Sequence, residues 1–313
     1  MAGGFDIFAR QNLASSYVSY DTETIGGNLR LGFALTEQLA LQPHYSLYRQ
    51  EVKLSDAVNC WPQSGTCFPA ALPVRLELAD GPVMTSLVGY TLTYNTLDNV
   101  NSPTSGLLAK ITNDFAGVGG DVNFIRTTGE VRKYYEVVPD VVSVVKLQGG
   151  HVGAWGGKDL RMLDHFQMGP NLVRGFATAG IGPRDLTNGS SNDALGGSMF
   201  WGASVEMQTP LYFLPKEIGI RVAAFADAGS LWDYTGPTSG SAPAGSPTQT
   251  LLVGLDGFEK IRSSAGVGLI WDSPLGPLRF DLAFPFTKYC STAGGAEVCD
   301  QEQVFRFSGG TKF

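Results

Sequence analysis

The chain has 313 residues and a formal net charge of −7, and its 16% of charged residues is low beside the roughly 25% of an ordinary soluble domain. An acidic chain is a poor match for the phosphate backbone, so we predict no nucleic-acid partner. Forty glycines and 11% aromatic residues accompany a mean hydropathy near zero. No apolar run approaches the roughly 20 residues that a membrane-spanning helix needs.

Apolar and polar residues alternate along many segments of the chain. In 278–284, leucine and phenylalanine occupy the even positions, whereas Arg279 and Asp281 occupy odd ones. Successive side chains of a strand point to opposite faces, so a period of two indicates one apolar and one wet face. A soluble β-sandwich is the alternative, with its charged face outside. The low charge and high glycine content favour a transmembrane antiparallel up-and-down β-barrel, in which a closed sheet pairs every backbone group.

The alternation predicts about twelve strands. In chain order they are residues 3–10, 24–35, 38–49, 82–94, 105–115, 119–136, 140–154, 194–209, 217–232, 260–272, 276–287 and 301–313. Connections after even-numbered strands tend to be short, as at Thr36–Glu37. Those after odd-numbered strands are mostly long: 50–81, 155–193, 233–259 and 288–300, with a short exception near 116–118. Outer-membrane barrels have short periplasmic turns and long extracellular loops, so the long set is assigned to the outside.

The four cysteines form two close pairs in the third and eleventh connections, which lie at the same end of an up-and-down sheet. We predict two local disulfides, Cys60–Cys67 and Cys290–Cys299, formed in an oxidising compartment. A four-cysteine zinc site is the alternative, but the spacings within the pairs do not match the usual two to four residues of a zinc knuckle. No metal, cofactor or catalytic residue is predicted.

The last predicted strand, 301–313, carries aromatic residues on one face and ends the chain on one. Phe305, Phe307, Gly309 and Phe313 share that face. A terminal aromatic residue on an amphipathic strand is typical of bacterial outer-membrane barrels, where it serves as the assembly signal. The alternative is an edge strand of some other β protein.

A family resemblance follows from a loop motif near the middle of the chain. Leu172-Val173-Arg174-Gly175-Phe176, followed by Ile181-Gly182-Pro183-Arg184, resembles the sixth extracellular loop of the BamA family of outer-membrane protein assembly factors, in the bacterial surface antigen family. The resemblance spans nearly the whole chain and is densest over 169–313. It also includes Ser204-Val205-Glu206, residues 225–233, residues 261–278 and Phe284-Pro285-Phe286.

The resemblance implies a place within a larger protein of the bacterial outer membrane. Family members carry a signal peptide and periplasmic POTRA modules ahead of a barrel of sixteen strands. The segment from Gly3 to Phe8 resembles the fifth barrel strand, so 1–313 is expected to be the C-terminal part of a barrel domain, with about twelve of the sixteen strands.

The long connection 156–193 is expected, from the resemblance, to fold down into the barrel lumen. Val173, Arg174, Gly175 and Phe176 form its motif. Gly175 would allow a close turn, and Phe176 would pack on the inner wall.

In the family, the arginine of this loop contacts acidic residues of the barrel wall. Glu206 and Asp227 lie on the polar faces of the next two strands and are the expected partners of Arg174, with Phe225 nearby. A guanidinium can bridge two carboxylates through its five N–H donors. The alternative is a solvated arginine in a long loop and two unrelated acids.

The function implied by the resemblance is the folding and insertion of outer-membrane β-barrel clients, without covalent chemistry, through an edge strand and a lateral seam. The expected partners are the bilayer, nascent client barrels and accessory lipoproteins of an assembly complex. Alternatives are a related protein-translocating barrel (two-partner secretion or TamA-like) and a passive porin. A porin would leave its lumen open, whereas a long inserted loop would close it.

Overall fold

The structure is a computed structural model, and it describes the chain apart from residues 1, 16–17, 60–67, 101, 188, 213, 216–217, 243–245, 275, 294–295 and 310–313. Within the described residues, no helix has the length and apolar character needed to cross a membrane.

Antiparallel strands dominate the fold. The long strands are Ala2–Asn12 (β1), Tyr20–Ala34 (β2), Leu39–Leu54 (β3), Val83–Asn95 (β4), Gly106–Val138 (β5), Val141–Ala154 (β6), Met199–Pro210 (β9), Ile220–Trp232 (β10), Arg262–Ser273 (β14), Gly276–Thr287 (β15) and Phe305–Gly309 (β19). Short strands lie in the connections: Gly175–Phe176 (β7), Arg184–Asp185 (β8), Ser239–Gly240 (β11), Gln249–Thr250 (β12), Val253–Gly254 (β13), Cys290–Ala293 (β16), Ala296–Cys299 (β17) and Glu302–Gln303 (β18). The long strands form one sheet in the order β1-β2-β3-β4-β5-β6-β9-β10-β14-β15-β19, so each pairs with its neighbours along the chain.

Strand β5 contains two strands of the sheet. It is 33 residues long and reverses direction at Gly117–Gly120, where three glycines have positive φ. The hydroxyl of Thr127 donates to Asn113 across this reversal, at 2.6 Å. The first half pairs with β4 and the second with β6. Counted in this way, the sheet of the described residues has twelve strands, as the sequence predicts, and the short connection near 116–118 is this tight turn.

The two faces of the sheet confirm the membrane-barrel prediction. On β15, Leu282 and Phe284 are 44% and 56% exposed, whereas Asp281 and Ala283 between them are buried. A soluble β-sandwich would show the opposite arrangement, with charged residues outside. A sheet with an apolar outer face and a polar inner face is typical of a barrel whose outer surface contacts lipid.

The long connections pack together at one end of the sheet. Helix α1, Leu72–Asp80, lies in the connection between β3 and β4 and begins with a proline in its first turn. It was not predicted from the sequence. Its residues share a buried apolar cluster with Met162, Leu195 and Leu251, which come from two other long connections.

One carboxylate ties three of these connections to one another. Asp193 accepts hydrogen bonds from the backbone N–H and hydroxyl of Ser19, both at 2.7 Å, and from the Ser191 hydroxyl at 2.6 Å. It also accepts the backbone N–H of Ala71, just ahead of α1, at 2.9 Å. The end of the 156–193 loop is therefore fixed to both the first connection and the helix.

The eleventh connection contains a disulfide between Cys290 and Cys299, which joins the paired strands β16 and β17. The predicted Cys60–Cys67 pair lies outside the described residues. Phe305, Phe307 and Gly309 share the exposed face of β19, whereas Phe313 lies outside the described residues.

The last strand begins later in the sheet than residue 301, the predicted start. Pairing of β15 with β19 ends at Leu282 and Phe305. Farther along β15, Pro285 has no N–H to donate to a neighbouring strand. Residues Glu302–Gln303 instead pair with Gly175–Phe176 of the long loop.

A buried histidine at the long-loop end predicts a pH dependence of stability. The Nδ1–H of His165 donates to the carbonyl of Arg161 at 2.9 Å, and its Nε2 accepts the backbone N–H of Thr235 at 3.1 Å, so the ring is neutral. Burial lowers the pKa of His165 to about 4, whereas an unfolded chain keeps it at about 6.5. Between these values the unfolded state binds more protons, so stability falls as the pH falls from about 6.5 towards 4.

We therefore expect the urea midpoint of unfolding to decrease over this range, and a His165→Gln variant to lose that part of the decrease. Unfolding curves of both proteins in detergent, from pH 7.5 to 4, measure the difference. Parallel profiles would contradict the assignment.

Candidate functional site: an arginine clamp in the barrel lumen

The loop between β6 and β9 turns tightly just before its arginine. The carbonyl of Gly169 accepts the backbone N–H groups of Leu172 and Val173 at 2.9 and 3.0 Å. A side chain at Gly169 would place its Cβ 2.1 Å from the carbonyl oxygen of Ala177, so only glycine fits. This turn directs the next residue, Arg174, at the inner wall.

Arg174 contacts both acids that the sequence singles out. Its backbone N–H and Nε donate to one oxygen of Asp227 at 3.0 and 2.7 Å, and Nη2 donates to the other at 2.6 Å. Nη1 donates to Glu206 at 2.5 Å, and Nη2 also donates to the Ser204 hydroxyl at 3.0 Å. We call Arg174, Glu206 and Asp227 the clamp.

The strand register explains why these groups meet. Asp227 of β10 lies opposite Ser204 of β9, and Phe225 lies opposite Glu206. All four therefore face the lumen on adjacent positions of two neighbouring strands. The guanidinium carbon of Arg174 lies 3.5 Å from the centre of the Phe225 ring, a cation–π contact.

The clamp is largely removed from water. The Arg174 side chain is 13% exposed and that of Asp227 only 3%. Charge–charge attraction is much stronger in such surroundings than at a surface, and an unpaired charge there is correspondingly costly.

The two residues after Arg174 pack closely on the wall. Gly175 has a φ of 91°, and an added Cβ would lie 3.2 Å from Pro285 and from the carbonyl oxygen of Ala283. Phe176 is fully buried in a cluster that also contains Leu172 and Val173. The remaining members of this cluster are Ile181, Phe200 and Leu231. Phe225 is not among them, because its ring faces Arg174 instead.

The loop also reaches the segment that precedes the last strand. Gly175–Phe176 pairs with Glu302–Gln303, the N–H of Ala177 donates to the Gln301 carbonyl at 2.9 Å, and the N–H of Gln301 donates to Gly180 at 2.8 Å. A short antiparallel ladder therefore links the lumen loop to the start of β19.

A third contact carries the loop across the lumen. The backbone carbonyl of Asn171 accepts from Gln148 of β6 at 2.9 Å, and its side-chain oxygen accepts from Arg306 of β19 at 3.1 Å. On one side of the loop, a cavity of about 590 Å³ has a polar lining that includes Lys146, Arg174 and Asp281. The loop thus occupies part of the barrel lumen.

Two charged residues of β15, Arg279 and Asp281, also contact the clamp or its partners, and the sequence alone does not place them in the site. Arg279 donates to both oxygens of Glu206 at 3.0 and 2.8 Å, and to both oxygens of Asp281 at 2.9 Å. The available signal was their position on the polar face of the strand. That position does not indicate that the Arg279 side chain extends as far as Glu206.

Among the described residues, one group of potential metal ligands lies close together: Cys290, Glu297 and Cys299. Both sulfur atoms are consumed by the disulfide, so neither cysteine can provide a thiolate ligand.

Comparison with known proteins places the chain in a family. The profile of the Omp85 superfamily domain matches residues 2–313. The outer membrane protein assembly factor BamA of Neorickettsia risticii is 29% identical over 90% of this chain and 34% of its own length. The BamA of Neisseria meningitidis serogroup B is 25% identical over 99% of the chain and 39% of its own length. The mouse sorting and assembly machinery component 50 homolog is 30% identical over 78% of the chain and 48% of its own length.

A solved structure supports the fold. The crystal structure of BamA from Haemophilus ducreyi lacking POTRA domains 1–3 superposes with a TM-score of 0.74, covering 99% of this chain and 59% of that chain at 23% identity. The chain spans only about a third of the length of the two bacterial relatives. It is an outer-membrane β-barrel protein, and it belongs to the Omp85 superfamily.

Proposed function

We propose that this chain acts in the folding and insertion of β-barrel proteins into the bacterial outer membrane, as an assembly factor without covalent chemistry. The observation that carries the proposal is the lumen loop, which the clamp holds on the inner wall and which pairs with the segment ahead of the last strand. The BamA and sorting-machinery relatives support the same function.

The proposed mechanism uses the edge of the sheet. Among the described residues, β19 pairs with β15 on one side and has no strand partner on the other. Unpaired backbone groups at a strand edge can pair with an incoming strand, and lipid strongly favours their being paired. A client strand could therefore add at β19, and the exposed Phe305 and Phe307 would keep the edge in contact with lipid.

In this proposal, residues 1–313 are the C-terminal part of a barrel domain and 156–193 is its lumen-inserted loop. Val173 to Phe176, with Glu206, Phe225 and Asp227, fix that loop, and the aromatic face of the last strand directs assembly of the chain itself. The partners are the bilayer, nascent client barrels and accessory lipoproteins of an assembly complex. A passive porin is disfavoured because Asn171 bridges Gln148 and Arg306 across the lumen.

The proposal is tested by the folding of a client barrel in liposomes that contain the complete natural protein. The readout is the fraction of an eight-stranded client that acquires resistance to unfolding in cold detergent, followed over time. We expect the natural protein to accelerate this conversion. Arg174→Ala should slow it several-fold, and Arg49→Ala, which alters an exposed ion pair with Glu51, should leave it unchanged. Client folding no faster than in empty liposomes would contradict the function.

A further inference from the structure

Glu206 is held by two arginines, one from the loop and one from the sheet. Arg174 of the loop approaches one carboxylate oxygen, and Arg279 of β15 donates to both. Gln208 adds a hydrogen bond at 2.7 Å. A carboxylate with this many donors is fixed in both position and orientation.

Arg279 reaches Glu206 across two intervening strands. The sheet order places β10 and β14 between β9 and β15. On these strands Ala223 and Gly268 are buried, and they lie opposite each other in register. A Cβ added at Gly268 would lie 2.6 Å from a carboxylate oxygen of Asp281 and 3.4 Å from Nη2 of Arg279. The absence of a side chain at Gly268 therefore provides the trough in which Arg279 lies.

The charges require Arg279. The clamp and β15 together contain three carboxylates, of Glu206, Asp227 and Asp281, all buried. Arg174 pairs with Glu206 and Asp227 but not with Asp281, so without Arg279 the Asp281 carboxylate would lose its arginine partner, and Glu206 and Asp281 would repel each other. With Arg279 between them, each of the three carboxylates has an arginine partner.

We propose that Arg279 is a positioning residue of the clamp, which holds Glu206 in place for Arg174 and so ties the lumen loop to the last hairpin of the sheet. Arg279 pairs in register with Ser308, and Asp281 with Arg306, on β19. The state of the clamp is thereby linked to the strand at the edge of the sheet. This inference rests on the clamp role proposed above for Arg174, but it does not require a client.

The test measures how often the loop leaves the wall. Val173 is fully buried beside Arg174, so a cysteine at that position reacts with a maleimide only when the loop opens. The experiment uses the complete protein in membranes, with Cys60 and Cys67 replaced by serine and the Cys290–Cys299 disulfide intact. We expect Arg279→Met to raise the labelling rate of Val173→Cys about tenfold, which corresponds to about 1.4 kcal/mol.

A double-mutant cycle separates positioning from general stabilisation. If Arg279 acts through Glu206, then Arg279→Met should add no further increase in the Glu206→Gln background. An equal increase in both backgrounds, or no increase in either, would overturn the proposal. The labelling rate does not depend on client folding. The proposed role of Arg279 can therefore fail while the assembly function holds, and the assembly function can fail while the role of Arg279 holds.

A second variant tests the trough without removing a charge. Gly268→Val should displace Arg279 and raise labelling as Arg279→Met does. The matched control is Gly129→Val, because an added Cβ there meets only the backbone oxygen of Lys110 at 4.0 Å. Unchanged labelling in folded Gly268→Val would also overturn the proposal.

Discussion

Arg174→Ala is expected to lower the free energy of unfolding by about 3–5 kcal/mol, the usual cost of removing one partner of a buried ion pair. Most of this lost stability should come from Asp227, because Asp227 receives three hydrogen bonds from Arg174 and is almost fully buried. One of these comes from the backbone and survives the substitution. Glu206 keeps its contacts with Arg279 and Gln208.

Urea unfolding of the barrel in detergent, followed by heat-modifiable mobility on a gel, measures this change. Arg174→Lys keeps the charge but not the paired donors, so it should lie between the wild type and the alanine variant. Arg49→Ala provides the surface control and should change stability by less than about 1 kcal/mol. A clamp variant as stable as this control would show that the loop does not depend on Arg174.

The second large effect is expected at Arg262, at the start of β14. Arg262 and Asp300 are both fully buried, with Nε and Nη2 of the arginine donating to the carboxylate at 2.9 and 3.1 Å. Arg262 also donates to the carbonyls of Lys260 and Leu255. Arg262→Met would remove the ion-pair partner of a fully buried carboxylate, and we expect a loss of about 3–5 kcal/mol.

A second variant distinguishes the effect of the unpaired charge in Arg262→Met from the effect of a packing defect. Replacing both partners, as Arg262→Met with Asp300→Leu, removes the unpaired charge and should recover much of the stability. The exposed pair of Lys53 and Glu23 serves as the control, and Lys53→Met should have little effect. The same urea titration reports all of these variants. A double variant less stable than Arg262→Met alone would contradict an uncompensated charge as the cause.

The strands were predictable because alternation follows directly from strand geometry. The predicted 276–287 coincides with β15, and 260–272 differs from β14 by two residues or fewer at each end. The predicted strand limits are wrong where residues that continue the alternation make contacts within a loop and not within the sheet. Residues 194–198 continue the alternation of β9, but Leu195 donates to Pro183 and Gly197 pairs with Phe166 within the loop.

Helix α1 was missed for a different reason. The apolar residues of 72–80 do not form a stripe along one face of the helix. Its buried residues include both Val74 and Arg75, which are adjacent and so point in different directions. The guanidinium of Arg75 is satisfied by the carbonyls of Ala70 and Ala242. Ala70 is local, but Ala242 lies in a distant connection, and a partner of that kind leaves no local signal.

In the site, too, the features that depend on local sequence were predictable and those that depend on distant residues were not. The loop motif and the inward parity of Glu206 and Asp227 could be read from the chain. The role of Arg279 could not, because it depends on Gly268 and Ala223 lying side by side on two other strands. The pairing of Glu302–Gln303 with the loop is equally non-local.

The most direct test of the account is the coupling free energy between Arg174 and Asp227. Arg174→Met, Asp227→Leu and the double variant would be unfolded in urea under identical conditions, and the cycle isolates the pair from its surroundings. If Arg174 holds the lumen loop through this carboxylate, the coupling should be about 2–3 kcal/mol. Effects that simply add, within about 0.5 kcal/mol, would contradict the clamp.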